Sequence, residues 1–272
     1  MDLSFQNVDQ LCASVDLAAK EPVVDLSRIT FFSPFSLVYL GMFLRYHNSN
    51  GKGFKVRAPD DPTARAYLAR QNFWERFNFD PECIKNENLR RLTSSTSLND
   101  ILDIEKRDEI AEDIAKGVLQ VLRRNSVAVP VGLVAELMCE LVDNFARHSE
   151  RTLAAVLMQY YPNLRRVVLA IGDCGVGIRS SLAYNPRYTY LAGQPHHVAA
   201  LKAFEPLVSR CSEGGTGLTE VRDEIMGLQG QLTLATGDGY VTITARQTLY
   251  GQMAYELPGV QIQLSIPERS VQ

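Results

Sequence analysis

The sequence predicts an α/β protein made of two domains. Short apolar runs bounded by turn-forming residues alternate with helix-like patterns along the chain, which is the arrangement of α/β proteins. A polar tract without aromatic residues, 93–100, separates two such halves. The chain has 272 residues, of which 46% are hydrophobic and 22% charged, a composition typical of globular proteins. We therefore expect a small α/β domain over residues 1–98 and a larger one over residues 99–272.

The first half carries the pattern of a β-α-β unit. An apolar strand at residues 23–26 is followed by a helix with Ser33 as its N-cap and Pro34 at its first position. A second strand is expected at residues 54–57. Residues 61–77 then predict a further helix.

The second half begins with two predicted helices, over residues 101–124 and 129–149. Two apolar runs, 153–161 and 164–173, follow. They predict buried strands, because both are rich in β-branched and aliphatic residues and Pro162-Asn163 supplies a turn between them.

The last hundred residues predict a loose segment, a helix and a closing sheet region. The loose segment, 178–214, contains Gly and Pro, and a helix is expected over residues 216–228. Residues 231–246 alternate apolar and polar side chains and predict a hairpin with its turn at 237–239. Residues 260–266 alternate in the same way and predict the last strand.

The stretch "ELVDNFARHSE" contains Glu140, Asn144 and His148 at four-residue intervals. In an α-helix such positions lie nearly above one another, so the three side chains are placed to meet a single ligand. The alternative is a solvated helix face. We interpret His148 as a structural residue at the helix end, and for Arg147 a phosphate contact and a solvent-exposed position remain equally open.

Two glycine-bearing motifs follow. In "DCGVG" an Asp ends a buried strand, where it can accept a hydrogen bond from an exocyclic amine, and the glycines let the backbone approach a flat ligand. In "GGTGL" a glycine loop opens a helix, and the free N–H groups at a helix N-terminus stabilise phosphate. The predicted ligand-binding residues of the two motifs are Asp173, Gly175, Gly177, Gly215, Thr216, Gly217 and Leu218.

A nucleotide bound by these motifs would bring Mg²⁺, a cation that prefers oxygen ligands and keeps several waters. The side-chain oxygen of Asn144 is a candidate ligand for the metal. Glu140, one turn earlier, is then placed to orient or deprotonate a water near the terminal phosphate. The sequence thus predicts ATP and Mg²⁺ as cofactors.

The order E-x-x-x-N-x-x-x-H, D-x-G-x-G, G-G-T-G-L resembles the N, G1 and G2 boxes of the GHKL ATPases, over roughly residues 100–267. The resemblance implies a Bergerat fold, in which helices cover one face of a mixed sheet and a mobile lid, here 178–213, closes over ATP. It implies that Glu140 is the catalytic carboxylate, that Asn144 holds Mg²⁺ and that Asp173 accepts the adenine amine. Val260 stands where many members have a Thr near the base.

The N-terminal stretch "VVDLSRITFFSPFSLVYL" resembles a STAS domain, the small α/β fold of anti-sigma-factor antagonists, over roughly residues 1–95. Members switched by phosphorylation carry a Ser in the turn where this chain has Pro34 or Phe35, so the usual switch is not expected here. The resemblance implies that this part docks a protein partner or a second copy of the chain.

Charge and hydropathy exclude several classes of protein. A net charge of −3 and the lack of a basic run predict no nucleic-acid partner. Acidic residues precede the first basic residue, Lys20, which predicts no secretory signal. The most apolar stretch, 29–44, is short and interrupted by Ser and Pro, so no membrane span and a cytoplasmic location are expected. Five scattered cysteines indicate reduced thiols.

The leading hypothesis is an Mg-ATP-binding GHKL protein that hydrolyses ATP slowly or transfers its γ-phosphate. None of the four histidines lies in a phosphoacceptor-like stretch, which favours serine/threonine-kinase-like chemistry over a histidine autokinase. The adjacent pair His196-His197 is expected on the surface of the lid. The alternative is a nucleotide-gated interaction or dimerisation switch, in which turnover is incidental.

Overall fold

The computed structural model describes residues 1–77, 102–105, 110–149, 153–210 and 217–268, and the chain is a mixed α/β protein. The described helices are α1 (Val8–Ala13), α2 (Pro34–Ser49), α3 (Pro62–Arg70), α4 (Phe73–Arg76), α5 (Ile110–Arg124), α6 (Val131–His148), α7 (Gly177–Ala183), α8 (His196–Ala203) and α9 (Gly217–Gly227). The described strands are β1 (Asp2–Leu3), β2 (Val23–Asp25), β3 (Phe31–Phe32), β4 (Lys55–Arg57), β5 (Leu102–Glu105), β6 (Leu153–Tyr161), β7 (Arg166–Asp173), β8 (Gln231–Thr244) and β9 (Thr248–Pro267).

The main sheet has five strands in the order β5-β6-β7-β9-β8, and every neighbouring pair is antiparallel. This differs from the mixed sheet that we expected. Short connections favour antiparallel neighbours: a 3-10 turn at Pro162–Leu164 joins β6 to β7, and three residues join β8 to β9. In the described chain, parallel pairs occur in two small sheets, β1–β3 and β2–β4.

Both faces of the main sheet are buried: the described helices from residue 110 onward pack on one face, as expected, and the N-terminal part of the chain packs on the other. Along β6, Ala154, Val156 and Met158 face the core formed with α5, α6 and α9. Ala155 and Leu157 point the other way and pack with the N-terminal part of the chain. The alternation of side chains along a strand therefore explains why the whole run is apolar.

The N-terminal part of the chain covers the second face of this sheet. Helix α2 is buried almost all round and lies against β6, β7 and β9. Its predicted start is confirmed, because Ser33 caps it by accepting a hydrogen bond from the Ser36 N–H at 3.2 Å. The predicted β-α-β unit is also confirmed, with β2 and β4 paired in parallel. The tract 93–100, where we placed the domain boundary, lies outside the described residues.

Several other predicted elements are confirmed, and some are wrong. Helix α6, strands β6 and β7 and helix α9 form where expected. The single helix predicted over 61–77 is two, because Asn72 adopts a left-handed conformation with φ 53° between them. The helix predicted from residue 101 starts at Ile110, and β5 precedes it.

The C-terminal hairpin is longer than predicted. Its strands β8 and β9 have 14 and 20 residues, and the turn lies at 245–247. The predicted turn at 237–239 is wrong: this stretch is an irregularity within β8, where the register against β9 shifts. The segment predicted as loose contains α7, a 3-10 helix (Pro186–Gly193) and α8.

Candidate functional site

Helix α6 presents Glu140 and Asn144, both half-buried, at the edge of its core face. Its apolar side chains recur at helical spacing, and Val134, Met138 and Val142 are fully buried in the core. On the polar side the Asn144 amide nitrogen donates to the Glu140 carboxylate at 3.3 Å. This contact turns the Asn144 carbonyl oxygen away from Glu140.

The surroundings of Glu140 favour its protonated form more than water does. Burial raises the pKa of this carboxyl group above its usual value. Arg147 opposes this increase, while the charges of Asp143 and Glu220 add to it. A carboxylate with a raised pKa is better suited to accept a proton near neutral pH than an ordinary surface carboxylate.

Asp173 ends the central strand β7, which runs between β6 and β9. Its side chain is buried, with 6% of the residue exposed. One carboxylate oxygen accepts a hydrogen bond from the Gly175 N–H at 2.6 Å, and the main-chain oxygen accepts one from the Gln261 side chain at 2.9 Å. These contacts fix the end of the strand and the orientation of the carboxylate.

The turn after Asp173 packs directly on the end of α6. The Val176 N–H donates to the carbonyl oxygen of Ser149, the C-cap of the helix, at 3.1 Å. A Cβ atom on Gly175 would collide with that same carbonyl group, so only glycine allows this approach. The glycine at position 175 therefore allows the end of β7 to pack against the end of α6.

The start of α9 closes over the polar face of α6. A Cβ atom on Gly217 would collide with the Glu140 carboxylate and would approach the Asn144 amide to 3.1 Å. The third motif is thus in contact with the first. The preceding residues of this motif, Gly215 and Thr216, lie outside the described residues.

These elements surround one cavity of about 460 Å³. Its size lies within the range of small-molecule sites. The predicted site residues that line it are Glu140, Asn144, Arg147, Asp173, Gly177, Gly217 and Leu218. Gly175 packs against Ser149, which lines the cavity. The helix and the strand end that carry the first two motifs therefore meet at the same cavity.

Apart from Val260, the other lining residues were not found from the sequence. Val260, Ile171 and Ile178 give the cavity an apolar wall beside Asp173. Arg210 adds a second cation to that of Arg147, and its guanidinium carbon lies 4.2 Å from the ring centroid of Tyr184. Ser149, Ser181 and Ser209 add hydroxyl groups. These residues are not part of a recognisable spacing, so their proximity depends on the fold.

The segment that we expected to be a lid is attached to the hairpin. His196, at the start of α8, has a side chain only 12% exposed, and its Nδ1 lies 2.6 Å from the Asp238 carboxylate. His197 stacks on Tyr250 with ring centroids 5.4 Å apart. The pair is therefore half-buried rather than fully on the surface, because both side chains pack against the hairpin.

Two neighbouring side chains of α6 offer oxygen atoms of the kind that a magnesium ion would need. Asn144 and Glu140 supply oxygen atoms to the same wall, and Mg²⁺ selects oxygen ligands. Within the described part of the chain, no cluster of three or more His, Cys, Asp or Glu side chains is arranged to hold a metal ion. Among the same residues, no helix has the length and hydropathy needed to cross a bilayer.

Comparison with known proteins does not add to this description. No family model matches the chain, and no curated protein matches its sequence.

Proposed function

We propose that this chain binds Mg-ATP in the cavity between α6, the end of β7 and the start of α9, in the manner of the GHKL ATPases. The observation that carries the proposal is that Glu140, Asn144, Asp173 and Gly217, taken from three separate motifs, line one cavity. The apolar wall beside Asp173 suits a purine. The polar face of α6 suits the phosphates and their metal.

The buried carboxylate of Asp173 is assigned to the purine amine. One of its oxygens already accepts the Gly175 N–H, and a carboxylate has further lone pairs for a second donor. The Val260 and Ile171 side chains would contact the faces of the base. Arg147 and Arg210 would neutralise phosphate charge on the other side.

Glu140 is assigned to the chemical step. In hydrolysis it accepts a proton from the attacking water as the water oxygen bonds to the γ-phosphorus and the β–γ bridging oxygen leaves with ADP. In transfer, a serine or threonine hydroxyl group of a protein takes the place of water. Mg²⁺, when bound, offsets the charge of the phosphates. Asn144 orients the carboxylate through their hydrogen bond.

Calorimetric titration with a non-hydrolysable ATP analogue and Mg²⁺ tests these assignments. Asp173→Asn keeps an oxygen for the Gly175 N–H but changes the group that faces the purine, and we expect its Kd to rise about tenfold or more. Glu140→Gln should bind like the wild type but lose about 100-fold or more in ATP turnover. The control Glu136→Gln, on the exposed side of α6, should change neither quantity. The opposite pattern, with binding lost in Glu140→Gln alone, would show that the two roles are exchanged.

A nucleotide-gated interaction switch is the second candidate, and one contact favours it. Cys174, the residue after Asp173, donates its thiol hydrogen to the Met42 carbonyl oxygen of α2 at 3.2 Å. The N-terminal part, which resembles a STAS domain and for which we propose a protein partner or a second copy, thus contacts the nucleotide motif. Incubation with γ-labelled ATP separates the candidates: phosphate release or protein labelling supports the enzyme, whereas binding without either product supports the switch.

A further inference from the structure

A second cavity, of about 250 Å³, lies between the N-terminal part of the chain and the main sheet. Strand β3, helix α3 and the end of β6 surround it. It shares no lining residue with the candidate nucleotide cavity. The residues that determine its chemistry are Phe31, Tyr67, Arg70, Gln71, Gln159 and Tyr161.

The charge of this second cavity is unbalanced. Among the described residues that line it, Arg70, half-buried at the end of α3, is the one with a charge, and none is a carboxylate. Within the described residues Arg70 has no ion pair. Its guanidinium carbon lies 5.9 Å from the ring centroid of Tyr67. A cation in a partly buried cavity without a carboxylate favours an anionic ligand, because the surrounding protein screens the attraction less than water does.

Tyr67 and Tyr161 also line the cavity, and because their side chains can hydrogen-bond to each other, one of the two hydroxyl groups remains as a neutral donor for a ligand. Burial raises the pKa of both Tyr67 and Tyr161, so both hydroxyl groups keep their protons at neutral pH. A phenol that keeps its proton can donate a hydrogen bond to a carboxylate oxygen. The Arg70 guanidinium group can form a bidentate ion pair with the same carboxylate.

The size and walls of the second cavity limit the ligand. Its volume lies below the range of about 300–1,000 Å³ typical of pockets for drug-sized ligands. The cavity therefore suits a small ligand with a single ring. Phe31 and Tyr161 form an aromatic wall, with ring centroids 6.4 Å apart. Such a wall favours a flat or compact apolar body.

We propose that this second cavity binds a small monocarboxylate with an aromatic or compact apolar body, whose carboxylate pairs with Arg70. The ligand would lie where α3 meets β6, in contact with both the N-terminal part and the main sheet. This site does not depend on the proposed nucleotide function, because it uses none of the same residues.

Titration of the full chain with benzoate and with benzamide tests the proposal. The two probes have nearly the same shape, but only benzoate is charged. We expect saturable benzoate binding and at least about tenfold weaker binding of benzamide, since a charge-assisted pair replaces a neutral contact. A lack of saturable benzoate binding up to about 10 mM, or equal affinity for the two probes, would overturn the proposal.

Two variants and one competitor locate the bound probe. Arg70→Gln should weaken benzoate binding about tenfold, whereas Arg57→Gln, at an exposed arginine of β4 paired with Asp25, should leave it unchanged. Saturating Mg-ATP should not displace benzoate. Displacement by Mg-ATP, or unchanged affinity in a folded Arg70→Gln variant, would place the probe elsewhere and refute the assignment. The benzoate–benzamide comparison holds even if the variant does not fold.

Discussion

The half-buried carboxylate of Glu140 lowers the stability of the folded protein at neutral and high pH. Burial raises the pKa of its carboxyl group, so the folded state binds this proton more tightly than the unfolded state does. Stability therefore falls as the pH rises through the interval between the ordinary and the raised pKa. Above that interval the folded protein holds a carboxylate that would be better solvated in the unfolded chain.

Glu140→Gln should consequently raise the melting temperature of the ligand-free protein at pH 8. The gain should vanish at about pH 3, below the ordinary pKa of Glu, because the wild-type group is then protonated in both states. The amide oxygen can still accept the Asn144 hydrogen bond, so this contact is retained. Melting curves at both pH values measure the effect, with Glu136→Gln as the control. A gain of equal size at the two pH values would show that the charge of Glu140 is not its cause.

The sequence predicted several residues of the candidate site, because these residues have a recognisable local spacing. Glu140 and Asn144 are one helical turn apart, and Asp173 follows an apolar run, so both placements follow from the chain itself. Arg210 and Ser181 have no such signal. They reach the same cavity only through the helices between β7 and α9, which the Gly and Pro content led us to treat as loose.

At the scale of elements, the packing of α9 on α6 depends on a glycine. Gly217 lies so close to Glu140 that any side chain there must displace the carboxylate. Gly227, at the other end of the same helix, has nothing within 4 Å of the position of a Cβ atom. Alanine substitutions at these two positions therefore distinguish the effect of helix propensity from the effect of the close contact with Glu140.

Gly217→Ala should raise the Kd for Mg-ATP about tenfold or more, because the added methyl group would disturb Asn144, the proposed metal ligand. Gly227→Ala should leave this Kd unchanged and should keep or increase stability, since alanine is the better helix former. Calorimetric titration and urea unfolding measure the two quantities. Equal nucleotide affinity in both variants would mean that the start of α9 does not take part in binding.

Two elements were predicted wrongly for physical reasons that local sequence does not contain. A Gly-Asp-Gly stretch can form either a hairpin turn or an irregularity within a strand. Here the pairing with the 20-residue strand β9 favours the irregularity within the strand. Residues 102–105 form β5 because the edge of β6 is there to pair with it. In both cases a distant strand decides the conformation.

At the scale of the whole molecule, the N-terminal part and the main sheet share a core. Ala155 and Leu157 of β6, Ala170 of β7 and Leu257 of β9 pack with the side chains of α2 and its neighbours. The division into domains over residues 1–98 and 99–272 stays a prediction. The sheet strands carry buried side chains on both faces, so removal of either covering layer would expose apolar surface.

A fragment of residues 99–272, the predicted second domain, should therefore bind a hydrophobic dye such as ANS and should unfold more easily than the full chain. Leu157 and Leu257, both fully buried in the full chain, would face solvent in the fragment. Dye fluorescence and thermal melting compare the fragment with the full chain. A fragment with low dye binding and an unchanged melting temperature would show that the predicted domain is independent after all.

The most direct test of this account is the crystal structure of the chain with a non-hydrolysable ATP analogue and Mg²⁺. We predict density for the purine with its exocyclic amine at hydrogen-bond distance from the Asp173 carboxylate, and for the metal at the Asn144 side-chain oxygen. Nucleotide density outside the 460 Å³ cavity, or a purine that does not contact Asp173, would contradict the central claim.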